Sequence, residues 1–156
     1  MAEKFMEWDD RLSMGIPLID KQHQRLIEIT NNLYEACRQG GSLYTSFVTA
    51  LRETVDYVGF HFGTEEKIMR RINYPDYALH KREHEAFVKE VLKQKLAYEN
   101  DKAYAPHAMV RYLRDWTLSH IALTDLKLGA YLLNMKKTGA LENVLEKFID
   151  DKSQTL

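Results

Sequence analysis

Cysteine is almost missing from this chain: Cys37 is the only one in 156 residues. A single thiol makes no internal disulfide, excludes four-cysteine zinc sites and thiolate-held iron–sulfur clusters, and suits a reducing compartment. Any metal held here must be held by nitrogen and oxygen. Backbone breakers are scarce too, with 7 glycines and 3 prolines where average usage gives about 11 and 8. Sheet sandwiches and barrels need a turn roughly every 8–12 residues, so this shortage excludes them and leaves a few long helices. Neither sign of charge dominates: 22 basic residues face 23 acidic ones, the net charge is -1 and no basic run stands out. Nucleic acid and anionic membranes are therefore not expected as partners. Stretches of roughly 18 consecutive apolar residues are absent, and the mixed-charge segment from Met1 to Arg11 has no apolar leader core. The expectation is one cytoplasmic domain without membrane insertion, of a size that buries about two-thirds of its unfolded surface.

What is present is helical periodicity. Pro17, Pro75 and Pro106 each precede an apolar-periodic stretch, where a missing N–H costs nothing and the fixed φ assists helix entry. Gly40-Gly41 can end one helix and Ser42 can cap the next. Four helices are predicted near 17–38, 43–72, 75–98 and 105–135, with a fifth, short one near 140–150 after Gly139. Their inward positions step alternately by four and three residues. The first helix carries Ile19, His23, Leu26, Thr30, Leu33 and Cys37; the second carries Phe47, Leu51, Thr54, Val58, His61, Glu65, Ile68 and Ile72. The third carries Tyr77, His80, His84, Phe87 and Val91, and the fourth Met109, Leu113, Trp116, His120 and Leu123. Such seams suit helices crossing at about 20°. The short connections predict an all-α, antiparallel up-down-up-down four-helix bundle. It spans 17–135, with an N-terminal arm over 1–16 and a helical extension over 138–156.

The seams are interrupted by histidine and carboxylate. His23, His61, Glu65, His80, His84 and His120 all take core positions, and no Lys or Arg shares a seam with Glu65. A buried, unpaired glutamate costs several kcal/mol, so another source of positive charge is required. Residues four apart on a helix differ by about 40° in rotation and about 6 Å in rise, so His61 with Glu65, and His80 with His84, each converge on one point. These are two chelating pairs. Asp125, five residues past His120, is rotated by about 140°; it reaches the same centre only if the helix is wound wider there or its side chain bends across. Five imidazoles and one or two carboxylates are too many ligands for one ion with an open position, and too nitrogen-rich for Mg²⁺ or Ca²⁺. Two transition-metal ions bridged by carboxylates fit the count. Together with a bridging hydroxide, Glu65 and Asp125 leave the buried charge nearly balanced. No histidine here has glutamate three residues before it, so the Glu-x-x-His signature of oxidase-type di-iron bundles is missing.

Trp8-Asp9, the run from Gly15 to His23, His61-Phe62-Gly63-Thr64-Glu65-Glu66, His80-x-x-x-His84 and His120-Ile121-x-x-x-Asp125 resemble the hemerythrin family, in particular its stand-alone bacterial members. The resemblance covers about residues 5–130. It implies a non-haem, oxo- or hydroxo-bridged pair of iron ions, one held by His80, His84 and His120 and the other by His23 and His61, with Glu65 and Asp125 bridging. It further implies reversible binding of dioxygen at the two-histidine iron, for transport, storage or delivery to a partner oxidase, by a carrier rather than a catalyst. The alternatives are an oxygen or redox sensor with a signalling partner, and a di-iron enzyme acting on peroxide or nitric oxide. An apolar dioxygen pocket is expected to include Leu123 and Trp116, with Ile27 and Phe62.

The other polar and aromatic features are expected to be structural. His107 lies off the seam at a helix start, Glu66 is one residue off its seam and should be solvated, and Cys37 is a small apolar residue closing the first helix. Phe5 and Trp8 should anchor the arm. Leu141, Val144, Leu145, Phe148 and Ile149 form an apolar face at helical spacing. That face is expected to dock on the bundle of a monomer, or else to make a homodimer.

Overall fold

The computed structural model describes residues 4–38, 44–100, 106–139 and 141, and among them no strand occurs. The described residues form four helical rods: α1 (Pro17–Arg38), α2 (Tyr44–Arg71), α3 (Tyr77–Asn100) and a composite fourth rod. That fourth rod runs through α4 (His107–His120), a π-helical segment (Ile121–Asp125) and α5 (Leu126–Lys137). α1 packs against α2 and α4, and α3 packs against α2 and α4, which gives the square cross-section of a four-helix bundle.

Local chemistry sets the helix ends. Pro17 is the first residue of α1 and Pro106 caps α4, as expected where the missing donor is one no helix would use. α2 is stopped by Asn73, two residues past its end, whose φ of 50° is the left-handed conformation that asparagine tolerates. The Tyr74 N–H donates to the Met69 carbonyl and the Asn73 N–H to that of Arg70, the paired bonds of a Schellman stop. The glycine pair at 40–41 and Ser42 lie outside the described residues.

The interior has two apolar parts. One joins Leu33, Leu51, Val91 and Leu113, from the C-terminal halves of α1 and α3 and the N-terminal halves of α2 and α4. The other joins Ile19, Ile68, Ile72, Leu128 and Leu132 with Met14 and Ile16, from the opposite ends of the same rods. Because each part takes alternating ends of successive helices, neighbours are antiparallel. The histidines and acids occupy the waist between the two parts.

The arm is anchored through Phe5, as the sequence suggests, and through Met6. Phe5 stacks on Tyr34 with ring centroids 4.0 Å apart, the Arg114 guanidinium lies over Phe5, and Met6 exchanges both backbone bonds with the Asn31 amide. Of the extension, only Leu141 is described beyond Gly139; it is buried in the cluster with Met14, Tyr74 and Leu128. The predicted helix near 140–150 and the proposed dimer face otherwise lie outside the described residues. No described helix is long and apolar enough to cross a membrane.

Candidate metal centre

The expected seams are buried along α1 and α2, and along α3 from His80 onward. On the fourth rod Met109, Leu113 and His120 are buried and Trp116 is half-buried, and the repeat breaks beyond His120. There an extra residue enters: the Leu126 N–H donates to the Ile121 carbonyl, five residues back, which is the bond of a π turn. The inward run resumes at Asp125, Leu128 and Leu132, one residue later than an unbroken repeat from His120 would place it. Wider winding thus turns Asp125 to the centre with 0% exposure. It also corrects one expectation. Leu123 is 65% exposed, because the inserted residue rotates it to the outer face, so it lines no interior pocket.

Seven side chains meet at the waist, all nine-tenths buried or more: His23, His61, Glu65, His80, His84, His120 and Asp125. Their ligand atoms form two groups, Glu65 with His80, His84, His120 and Asp125, and His23 with His61, Glu65 and Asp125, each within 4.8 Å. The two carboxylates belong to both. On one side the Nε2 of His120 is 3.1 Å from that of His84 and 3.2 Å from that of His80. Two nitrogens at about 2.1 Å from one ion and about 90° apart would stand about 3.0 Å from each other, so these three fit one coordination sphere. Asp125 places Oδ1 3.2 Å from the Nε2 of His80 and of His120, and Oδ2 3.2 Å from that of His23. Glu65 faces the same way across the centre, with Oε2 3.3 Å from His84 and 3.6 Å from His61, and Oε1 3.8 Å from His23.

A cation is also what the unpaired atoms ask for. Both oxygens of Glu65, both of Asp125 and the Nε2 of His23 are buried without a hydrogen-bond partner among the described residues, a state that costs about 1–3 kcal/mol per group and more when charged. The donor set and its geometry fit a pair of transition-metal ions. In the metal-free chain, protons on histidine do part of that work. Burial opposes charging of His80, but Asp125 and Glu65 outweigh it and push its pKa up to about 9. His23 is raised against its own burial by Asp125 and Glu65. Burial dominates at His61 and pushes it down to about 4. Burial and mutual repulsion act against Glu65 and Asp125, yet the surrounding imidazoles hold both carboxyls well below the ordinary range.

The aromatics expected at the site support its three-histidine side. Phe62 stacks on His84 at 3.7 Å between centroids, and Trp116 stacks on His120 at 4.2 Å. Ile27 is buried one turn beyond His23. Outside this layer lie three residues that the seams did not single out. The Nδ1 of His120 is 2.9 Å from Glu83 Oε2, that of His61 is 3.0 Å from Gln22 Oε1, and that of His84 is 3.3 Å from Glu66 Oε1. Glu66 is therefore not simply solvated as expected: its side chain is 17% exposed and engages a histidine. It lines, with Gly59, Gly63 and Val88, a surface cleft of about 510 Å³ whose floor is His84. A signal was available: each of the three is the sequence neighbour of a seam histidine or glutamate, at the edge facing the next helix. His107 is exposed at the start of α4, with its Nδ1 3.3 Å from the Cys37 sulfur. That pair lies at the other end of the bundle's first apolar cluster, apart from the centre.

The family model for the hemerythrin HHE cation binding domain matches residues 14–132. This chain belongs to the hemerythrin family. It is 36% identical over 118 residues to a bacteriohemerythrin of Stenotrophomonas maltophilia, covering 76% of this chain and 75% of that protein. It is 29% identical over 147 residues to one of Pseudomonas aeruginosa, covering 94% and 88%. Among solved structures, wild-type hemerythrin superposes with a TM-score of 0.74 at 27% identity, covering 81% of this chain and 96% of that one. The family match begins at Met14 and ends at Leu132, so it takes in all seven waist residues and stops within α5, short of the extension.

Proposed function

We propose that this hemerythrin binds dioxygen reversibly at a pair of iron ions, for transport, storage or delivery to a partner. The observation that carries this reading is the pair of ligand groups sharing Glu65 and Asp125 at a waist built from five histidines. His80, His84 and His120 would hold one iron, His23 and His61 the other with an open position, and Glu65 and Asp125 would bridge. When bound, the iron pair supplies two electrons to dioxygen and recovers them on release.

The chain's own residues favour release over further chemistry. Glu65 and Asp125 are the only buried carboxyls among the described residues, and both are turned to the histidines and held ionised. No buried acid is left to hand a proton to the ligand and help split its O–O bond. Phe62, Trp116, Leu26 and Phe87 exclude water on one side of the waist, and Ile19, Ile68 and Leu128 on the other. Dry walls keep protons and bulk water from a reactive centre.

The test is anaerobic reduction of the iron-loaded chain followed by air and then degassing, with near-ultraviolet and visible absorption recorded at each stage. Colour that appears in air and disappears on degassing, with two irons per chain, is the expected result. Prompt oxidation that degassing does not reverse would favour enzymatic turnover, and zinc alone would sink the reading.

A further inference from the structure

The two halves of the centre are not braced alike, and the difference lies in charge. All three Nε2 atoms of His80, His84 and His120 point inward, so a neutral ring carries its proton on Nδ1 and must place it somewhere. His120 gives it to Glu83 at 2.9 Å, and Glu83 is itself held by the Thr124 hydroxyl at 2.8 Å, from inside the π segment. His84 gives it to Glu66 at 3.3 Å. On the other half, His61 meets only a neutral amide, Gln22 at 3.0 Å, whose nitrogen faces the Thr64 hydroxyl at 3.4 Å. The Nδ1 of His23 and of His80 have no hydrogen-bond partner among the described residues. Two carboxylates thus serve the three-histidine half and none serves the two-histidine half.

A carboxylate that accepts the outer N–H draws the proton away and makes the inner nitrogen a stronger donor, whereas an amide fixes the same tautomer without adding charge. We infer that Glu83, Glu66 and Gln22 are positioning residues that make the centre's halves unequal. Glu83 and Glu66 make the three-histidine half the tighter one and favour its higher oxidation state; Gln22 leaves the half with the open position less electron-rich. This rests on the di-iron reading above and deepens it, since a centre that must give electrons to dioxygen and take them back gains from one half anchored firmly and the other left free to exchange its ligand.

The experiment compares the full iron-loaded chain with Glu83→Gln, Glu66→Gln and Gln22→Glu by two measurements: iron affinity in competition with a chelator, and midpoint potential in a dithionite titration. Each diferric pair takes two electrons there, one per ion. Glu83→Gln is expected to weaken the tighter site by about 10- to 100-fold and move the potential upward. Glu66→Gln should do the same by less, its contact being longer. Gln22→Glu should move the potential downward and tighten the weaker site. A bracing role without charge would give losses of the same sign in all three. Potentials unmoved by Glu83→Gln, or moved alike by Glu83→Gln and Gln22→Glu, would overturn the inference, and Glu66→Gln gives the same decision should Glu83→Gln not fold. Uptake of one ion by the unaltered chain would overturn the di-iron reading and this inference with it. Normal oxygenation with unmoved potentials overturns the inference alone.

Discussion

At the scale of single residues, the centre is decided by which way a ring or a methyl group points. Ile27 is 5% exposed one helical turn beyond His23, on the side of the half proposed to carry the open position, whereas Leu123 stands in solvent. A polar side chain next to a bound, partly reduced ligand hydrogen-bonds to it and admits water, which supplies the proton with which it leaves as peroxide, the iron being left oxidised. Ile27→Asn is therefore expected to speed autoxidation of the oxygenated protein by about ten-fold or more, on the scale of one hydrogen bond to a charged group. Leu123→Asn should leave the rate unchanged. The decay of the visible absorption in air, followed for both variants beside the unaltered chain, checks the pair. Equal acceleration by both would mean that the open position faces the π segment instead.

At the scale of elements, the fourth rod shows what sequence periodicity can and cannot reveal. His23, His61, Glu65, His80, His84 and His120 were legible because an α-helix repeats its facing positions, and an acid or imidazole on an apolar stripe stands out. The π turn was legible only as a requirement. Asp125 sits at a spacing that an unbroken α-helix would not turn inward, and nothing in Ile121-Ala122-Leu123-Thr124 announces an extra residue, so periodicity alone puts Leu123 inside. Gln22, Glu66 and Glu83 were legible only as sequence neighbours of seam residues, because their roles depend on the neighbouring helix: Glu83 serves a histidine 37 positions away and Gln22 one 39 positions away.

Close packing of α5 on the segment before α1 makes a prediction at the same scale. A Cβ on Gly129 would stand 2.5 Å from the Met14 Cβ and 3.0 Å from its carbonyl oxygen, a clash with atoms that cannot swing aside. Overpacking of this kind costs about 1–3 kcal/mol, against about 1 kcal/mol gained in helix propensity, so Gly129→Ala should lower stability. Gly59 has nothing within 4 Å of the same position, and Gly59→Ala should raise stability by up to about 1 kcal/mol. Urea unfolding of the two variants, side by side, tests the contrast. A stabilising Gly129→Ala would show that the arm is not packed against α5 in solution.

At the scale of the whole molecule, the bundle is two apolar parts joined through a polar waist, and the waist ties stability to both protons and metal. Without metal, Glu65 and Asp125 are balanced by protonated histidine, His80 above all. Its pKa is pushed from 6.5 up to about 9; a group raised in the folded state contributes stability that is fully present below its unfolded value and is lost as pH climbs through the folded one. His61 works in the other direction. Pushed from 6.5 down to about 4, it keeps its full contribution above 6.5 and loses it as pH falls through 4, and the lowered carboxyls of Glu65 and Asp125 add to that acid loss. The melting temperature of the metal-free chain should therefore be highest near pH 6.5, falling on the alkaline side toward about pH 9 and on the acid side toward about pH 4. Bound metal should flatten the alkaline limb. With ligand bonds in place of protons, His80 has nothing left to lose between 6.5 and about 9, so the loaded chain should melt higher throughout and stay level across that interval, while acid still strips both metal and ligands. Loading at neutral pH should also release protons, measurable as a pH drop in weakly buffered solution. Parallel alkaline slopes for the two forms would mean that the proton on His80 is not what the metal replaces.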